Sequence, residues 1–413
     1  MSRATIDELP LPLAIRAFNV ARGLLGLAFR RDFDEARLLA RARRITGLED
    51  FGDDAFWTPL RRLLRALDEE AGLSGFGRSI MGAHVVRSLA GRLRVEDWLR
   101  RCPEIGEARV VRPLFIVGYP RSGTTHLHHL LCADDRVCVP SFWKLRAPTP
   151  PPDRRVAHDP RIRRAERAIA RGLSLTPQLS RLHAQSATAP EECHFLLDLA
   201  FMNPLLPAGS AYDRWWQKQD LTAAYRYHAR LLALLQWRWP GDHWVLKGAF
   251  HLWHLDALVR VYPDACFVFT HRAPEQVFPS AASYASVRAR AFFDQRRLDA
   301  IGPEIADALG RLMSRGLEHR RSLAAERFVD VAFEDIVTRP VAVAERVAAR
   351  FGYRFDDRSR EAVGRHAAAH PRHRHGVHRY DCARFGITPD ALGRATQEYR
   401  DFARDRGISL LEP

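Results

Sequence analysis

Residues Gly118 to Thr125 read GYPRSGTT, two glycines at phosphate-loop spacing with an arginine, a serine and two threonines around them. Four apolar residues, Leu114 to Val117, precede the loop, and leucines at helical spacing follow it. A strand running into such a loop and then a helix turns backbone N–H groups and the helix N-terminus toward one anion. A Walker loop would continue from the second glycine with Lys and then Ser or Thr. Here Thr124 and Thr125 follow, and the positive charge lies inside the loop at Arg121. No later strand ends in an acidic residue suited to Mg²⁺, since 265–271 runs into His271 and Arg272. A metal-dependent nucleotide hydrolase is therefore disfavoured.

Three further groups carry chemical potential. Lys247 ends the apolar run HWVLK in a chain whose 64 basic residues include only three lysines, so a compact ammonium at a strand terminus suggests a point-charge role. Arg272 closes a strand, and Ser280 stands eight residues on, about two helical turns away, so both can reach one phosphate. The third group is a proton acceptor. Glu192 and Glu191 lie in PEECHFLL, and His251 lies four residues after Lys247. A carboxylate desolvated under a cover can rise toward neutrality and act as a base, and histidine has the right intrinsic pKa. Glu192 ranks first, His251 second and Glu191 third. Plain helix-start chemistry would also produce Pro-Glu-Glu.

The loop, WVLKGAFHLWHLDAL and FTHRAPEQVFPSAASY together resemble the bacterial sulfotransferase family that uses 3′-phosphoadenosine-5′-phosphosulfate (PAPS). The likeness is strong from about Arg112 to Tyr284, weaker at PEECHFLL, and returns at HRYDCARFGI. It implies a P-loop-like α/β fold with a central parallel sheet flanked by helices. It also implies that Arg121, Ser122, Gly123, Thr124 and Thr125 hold the 5′-phosphosulfate, and that Arg272 and Ser280 hold the 3′-phosphate. Arg121 and Lys247 become catalytic candidates beside Glu192 and His251. The basic loop HPRHRHGVHRY would fold over the nucleotide, with Arg374 and His378 as contacts. The sequence departs from the family where Lys-Ser-Pro becomes Lys-Gly-Ala, so the histidine base of the cytosolic relatives has Ala249 in its position. Sulfuryl transfer needs cations at the leaving oxygen and a base for the acceptor hydroxyl, and no metal.

The elements that must position these residues are short strands at 113–117, 243–247, 265–271 and 327–333, each followed by a helical run. Residues 1–110 read as a helical N-terminal region, with no catalytic constellation, and 111–413 as the sulfotransferase domain. Within it 155–240 reads as a helical insertion covering the substrate, entered through APTPPPD, a stiff link outside the core. Its aromatic residues, Phe195, Phe201, Tyr212, Trp215, Trp216, Tyr225 and Tyr227, are mostly core, with some free to line an acceptor pocket.

A formal charge of +15 favours anionic partners, and the six cysteines, without metal spacing, fit reduced thiols in the cytoplasm. The N-terminal run LPLPLAIRAFNVARGLLGLAF is neither a signal nor a membrane span. It reads as an amphipathic helix that packs on the body or rests peripherally on a membrane. The expected partner is a hydroxyl-bearing acceptor, such as a lipid, glycolipid, sugar, small alcohol or phenol, and no nucleic acid. The competing functions are a P-loop small-molecule kinase and a non-catalytic nucleotide- or lipid-binding protein of the same fold.

Overall fold

The sheet is fully parallel, with strands β1 (Leu114–Gly118), β2 (Val245–Lys247), β3 (Cys266–His271) and β4 (Phe328–Ala332) in the order β2-β1-β3-β4. The computed structural model describes residues 11–24, 32–70, 72–175, 185–293, 298–370 and 381–410. β1 and β3 are buried along their whole length, which is why they read as unbroken apolar runs. Period-2 alternation splits their side chains. Phe115, Val117, Phe267 and Phe269 enter one core, while Leu114, Ile116, Cys266 and Val268 enter the other. β2 starts two residues later than its sequence pattern: His243 O accepts from Cys138 N, Trp244 bridges Cys138, and the Trp244 carbonyl reaches β1 by accepting from Leu114 N at 2.8 Å.

Register carries the chemistry-bearing residues to one edge. Ile116 is opposite Lys247 and Gly118 is opposite Thr270, so the carboxyl ends of β1, β2 and β3 finish together. The chain leaves β1 toward β2 on one side and β3 lies on the other, which makes the end of β1 a topological switch point where ligands of open α/β sheets bind.

The N-terminal helices are α1 (Leu13–Leu24), α2 (Glu35–Thr46), α3 (Trp57–Arg65) and α4 (Gly75–Arg101). Asp34 caps α2 by accepting from the Arg37 amide at 2.8 Å, and Ser74 caps α4 by accepting from Gly77 at 3.0 Å. Leu60 and Leu89 share one continuous core with Phe115 and Leu232, so these helices pack on one face of the sheet. α1 buries Ile15 and joins Arg22 to Asp32 and Ser79, but leaves Leu13, Val20 and Leu24 well exposed. Among the described residues no helix is long and apolar enough to cross a membrane.

Between β1 and β2 the chain forms helices Pro160–Leu175, Ala211–Trp216 and Thr222–Gln236 with a 3-10 segment Cys193–Ala200. The proline link is not the free spacer its composition suggests. Pro148, Thr149, Pro151 and Pro152 are buried, and the nearly buried Arg161 donates to the carbonyls of Ala147 and Pro150. Of the seven aromatic residues named from the sequence, five are core: Phe201, Tyr212, Trp216, Tyr225 and Tyr227.

β4 is tied to β3 and to the helix Leu298–Ser322 by Asp330, which accepts from His271 Nε2 at 2.7 Å and twice from Arg320 at 2.6 Å. Burial alone would raise the Asp330 carboxyl, but His271 and Arg320 hold it well below the usual range. This stabilisation is complete above the unfolded carboxylate pKa of about 3.9 and is lost as pH falls further. Asp330→Ala leaves Arg320 almost buried without a carboxylate, so an equilibrium denaturation should lose about 3–5 kcal/mol. Wild-type stability in the variant would refute this role.

Candidate active site

Gly123 has φ 90°, in the left-handed region, and a β-carbon there would sit 2.7 Å from Phe333. Only glycine meets both demands at the N-cap of α5 (Thr124–Leu131). The first amides of α5 have no acceptor within the helix, so they and its dipole point at the loop. Arg121 is also left-handed, at φ 71°. Its carbonyl accepts from Arg272 at 2.8 Å, and its Nε donates to Ser280 Oγ at 3.1 Å. Arg272 is itself aimed by Gln276 Oε1 at 2.6 Å and by the Phe333 ring, 4.1 Å below its guanidinium. The structure thus brings Arg121 together with Arg272 and Ser280, about 150 residues further along the chain.

Lys247 is 1% exposed. Its Nζ donates to Glu192 Oε1 at 2.6 Å and to Thr125 Oγ1 at 3.2 Å, joining the end of β2, the phosphate loop's helix and the segment between β1 and β2. Glu192 precedes the 3-10 segment without capping it, and Glu191 instead accepts the Glu192 backbone N–H at 2.9 Å. The other oxygen of Glu192, Oε2, is 2.7 Å from His194 Nδ1, a close contact outside good hydrogen-bond alignment. Burial by itself would raise the Glu192 carboxyl, as its sequence context suggests. Lys247 and His194 overturn this and hold it well below the ordinary value. Glu192 is therefore an ionised carboxylate between two nitrogen groups, not a neutralised one.

His194 did not stand out in the sequence. Its only signal is its position two residues after Glu192, whose extended backbone leads into the first 3-10 turn. The rings of Phe195 and Phe250 flank it at 4.7 and 5.7 Å.

Two sequence candidates lie elsewhere. His251 is enclosed: Nδ1 meets Tyr225 Oη at 2.8 Å, Nε2 meets Cys193 Sγ at 3.1 Å, and burial holds the ring well below its usual pKa. A β-carbon carrying a side chain at Gly248 would come within 2.8 Å of this ring, so the Lys-Gly-Ala departure makes room for His251 as a core residue. Ser122 is fully buried, with its hydroxyl donating to Tyr119 O at 2.6 Å and 2.6 Å from Thr270 Oγ1. Its side chain turns into the sheet, leaving only backbone for an anion. Arg374 and His378 fall outside the described residues. Among the described residues no group of three or more metal-binding side chains is arranged to hold an ion. A cleft of about 200 Å³ lies between α3 and the helix Thr222–Gln236, lined by Phe56, Arg92, Met202, Trp215 and Tyr227. It shares no residue with the Lys247 site.

The model of the sulfotransferase family matches residues 113–357, more than half the chain. The crystal structure of the sulfotransferase STF1 from Mycobacterium tuberculosis H37Rv is 29% identical and superposes with a TM-score of 0.78, covering 87% of this chain and 97% of that one. Sulfotransferase STF9 from Mycobacterium avium is 25% identical, with a TM-score of 0.81 over 89% of this chain and 96% of that one. The omega-hydroxy-beta-dihydromenaquinone-9 sulfotransferases Stf3 of Mycobacterium bovis and Mycobacterium tuberculosis are 23% identical over 256 residues, 58% of this chain. The match spans 62% of the length of those curated relatives. With the parallel sheet and its loop at the switch point, these matches establish that the chain belongs to the sulfotransferase family and has its α/β fold.

Proposed function

We propose that the protein transfers a sulfuryl group from PAPS to a hydroxyl of a lipophilic acceptor. One observation carries the reading: a buried lysine bridges the phosphate loop and a carboxylate, through Thr125 Oγ1 and Glu192 Oε1. Such an ammonium has a use when charge builds on a leaving phosphate oxygen, and such a carboxylate has a use when an acceptor hydroxyl must lose its proton.

In this reading the α5 amides, Arg121, Gly123, Thr124 and Thr125 hold the 5′-phosphosulfate, and Arg272 and Ser280 hold the 3′-phosphate. Without donor, Lys247 keeps Glu192 a weak base. When the bridging oxygen of the donor draws the ammonium toward Thr125, Oε1 loses its counterion and becomes more basic. His194 remains against Oε2 and keeps the carboxylate oriented. The acceptor oxygen then forms its bond to sulfur as the sulfur–oxygen bond to the phosphate breaks; the electron pair leaves with the phosphate and the proton goes to Glu192. The apolar rings of Phe195 and Phe250 beside His194 suit a hydrophobic acceptor, and the curated relatives' name specifies a hydroxylated menaquinone. The exposed Leu13, Val20 and Leu24 of α1 and the net charge of +15 suit peripheral contact with an acidic membrane holding such an acceptor.

The nucleotide half of the proposal has its own test. Arg272→Ala and Ser280→Ala should each weaken calorimetric binding of 3′-phosphoadenosine-5′-phosphate far more than that of 5′-AMP. For the arginine, a charged contact of about 1.5–3 kcal/mol corresponds to roughly 10- to 150-fold. Equal losses for both nucleotides would sink the assignment.

A further inference from the structure

The 3-10 segment that begins after Glu192 carries a second polar residue, Asp198, toward α4. With three residues per turn and a rise of about 2 Å, six residues bring Asp198 back to the face of Glu192 roughly 12 Å away. Asn203 Nδ2 donates to Asp198 Oδ1 at 2.6 Å, and His84 Nε2 of α4 lies 3.5 Å from the same oxygen. Arg87, one turn along α4, donates to the other ring nitrogen of His84 at 2.6 Å. Arg146, an exposed residue at the end of the helix Phe142–Arg146, adds its charge to the field at both Arg87 and Asp198.

This cluster has more cation than its single carboxylate balances. Among the described residues neither Arg87 nor Arg146 has a carboxylate within ion-pair distance, whereas the buried arginines Arg92, Arg161 and Arg320 each pair with an aspartate. The hydrogen-bond partner of Arg87 is an imidazole nitrogen, not a carboxylate. Burial first, and then Arg146, lower the Arg87 guanidinium to about 10, a direction that an added anion would reverse.

We propose that Arg87 and Arg146, backed by His84, form a subsite for an oxyanion of the acceptor, a carboxylate or phosphate about two 3-10 turns from the reacting hydroxyl. Guanidinium groups match both oxyanions in bidentate geometry. The preferred acceptor is then a molecule with a hydroxyl at one end, an anion at the other and an apolar span between them, lying along the Glu192–Phe195–Asp198 face. This inference rests on the sulfuryl-transfer reading and narrows its substrate class.

The test is a series of ω-hydroxy fatty acids of graded length, each compared with the α,ω-diol of the same length, with kcat/KM measured using PAPS. At one length the acid should exceed its diol by about 10- to 100-fold, the worth of a charged contact. Arg87→Gln and Arg146→Gln, checked for folding by thermal melts, should each pull that ratio toward unity. Equal rates for acid and diol at every length in the wild-type protein would overturn the subsite while leaving sulfuryl transfer standing. If no member of the series is sulfated, calorimetric titration of the same acids and diols still decides. Binding of the acid alone, weakened in Arg87→Gln, supports the subsite, and equal or absent binding of both overturns it.

Discussion

Lys247→Met should lower turnover by about 10²–10³-fold while 3′-phosphoadenosine-5′-phosphate binds nearly as tightly as to the wild type. The ammonium is buried beside Thr125 and faces the loop end at which the leaving oxygen would form, so its charge matters most as the sulfur–oxygen bond breaks. An interaction made mainly in the transition state appears in kcat rather than in product affinity. Methionine keeps the stem packed and removes the charge. Arginine should not restore activity, because a planar fork does not fit a space that holds Nζ at 2.6 Å from Glu192. Near-normal turnover in Lys247→Met, or a loss of nucleotide affinity equal to the loss of kcat, would remove Lys247 from the chemistry.

Glu192→Gln should cost about 10²–10⁴-fold in turnover, the usual contribution of a general base. The amide keeps the shape of the side chain and its contacts with Lys247 and His194, so PAPS binding should survive. The pH dependence has a definite sign. Lys247 and His194 hold the Glu192 carboxyl well below its ordinary value against the effect of burial, so in free enzyme it stays ionised down through that value, about pH 4.3. The wild-type kcat/KM should therefore show no acidic limb from this carboxylate at pH 5–7. A limb near 6 that vanishes in Glu192→Gln would mean that the carboxylate is raised, not lowered, and would contradict the pair with Lys247. His194→Gln should slow turnover less than Glu192→Gln, since it loses orientation and keeps the proton acceptor.

The sequence made the sheet and the phosphate loop legible because both are local. The runs at 114–118 and 266–271 are buried on both faces, and the glycine spacing fixes the turn between β1 and α5. Lys247 was legible as a rare residue at a strand end. The pair that Glu192 makes with Lys247 was harder to read. Glu192 and Lys247 are far apart in the chain, and only the packing of the 3-10 segment against β2 makes them a pair, which reverses the effect expected of burial. His251 has the spacing of a site residue but occupies the space a glycine leaves at 248. The helical N-terminal region showed no chemistry of its own, yet α4 brings His84 and Arg87 to Asp198 through tertiary contact alone.

The central claim is tested most directly by incubating the protein with PAPS labelled in its sulfuryl group, in the presence of EDTA, and following the label by mass spectrometry into lipid extracts. The account predicts a labelled hydroxyl-bearing lipid that forms without metal and disappears in Lys247→Met. Absence of any labelled product, together with transfer of the γ-phosphate of ATP to the same extract when Mg²⁺ is restored, would contradict it and make the protein a kinase.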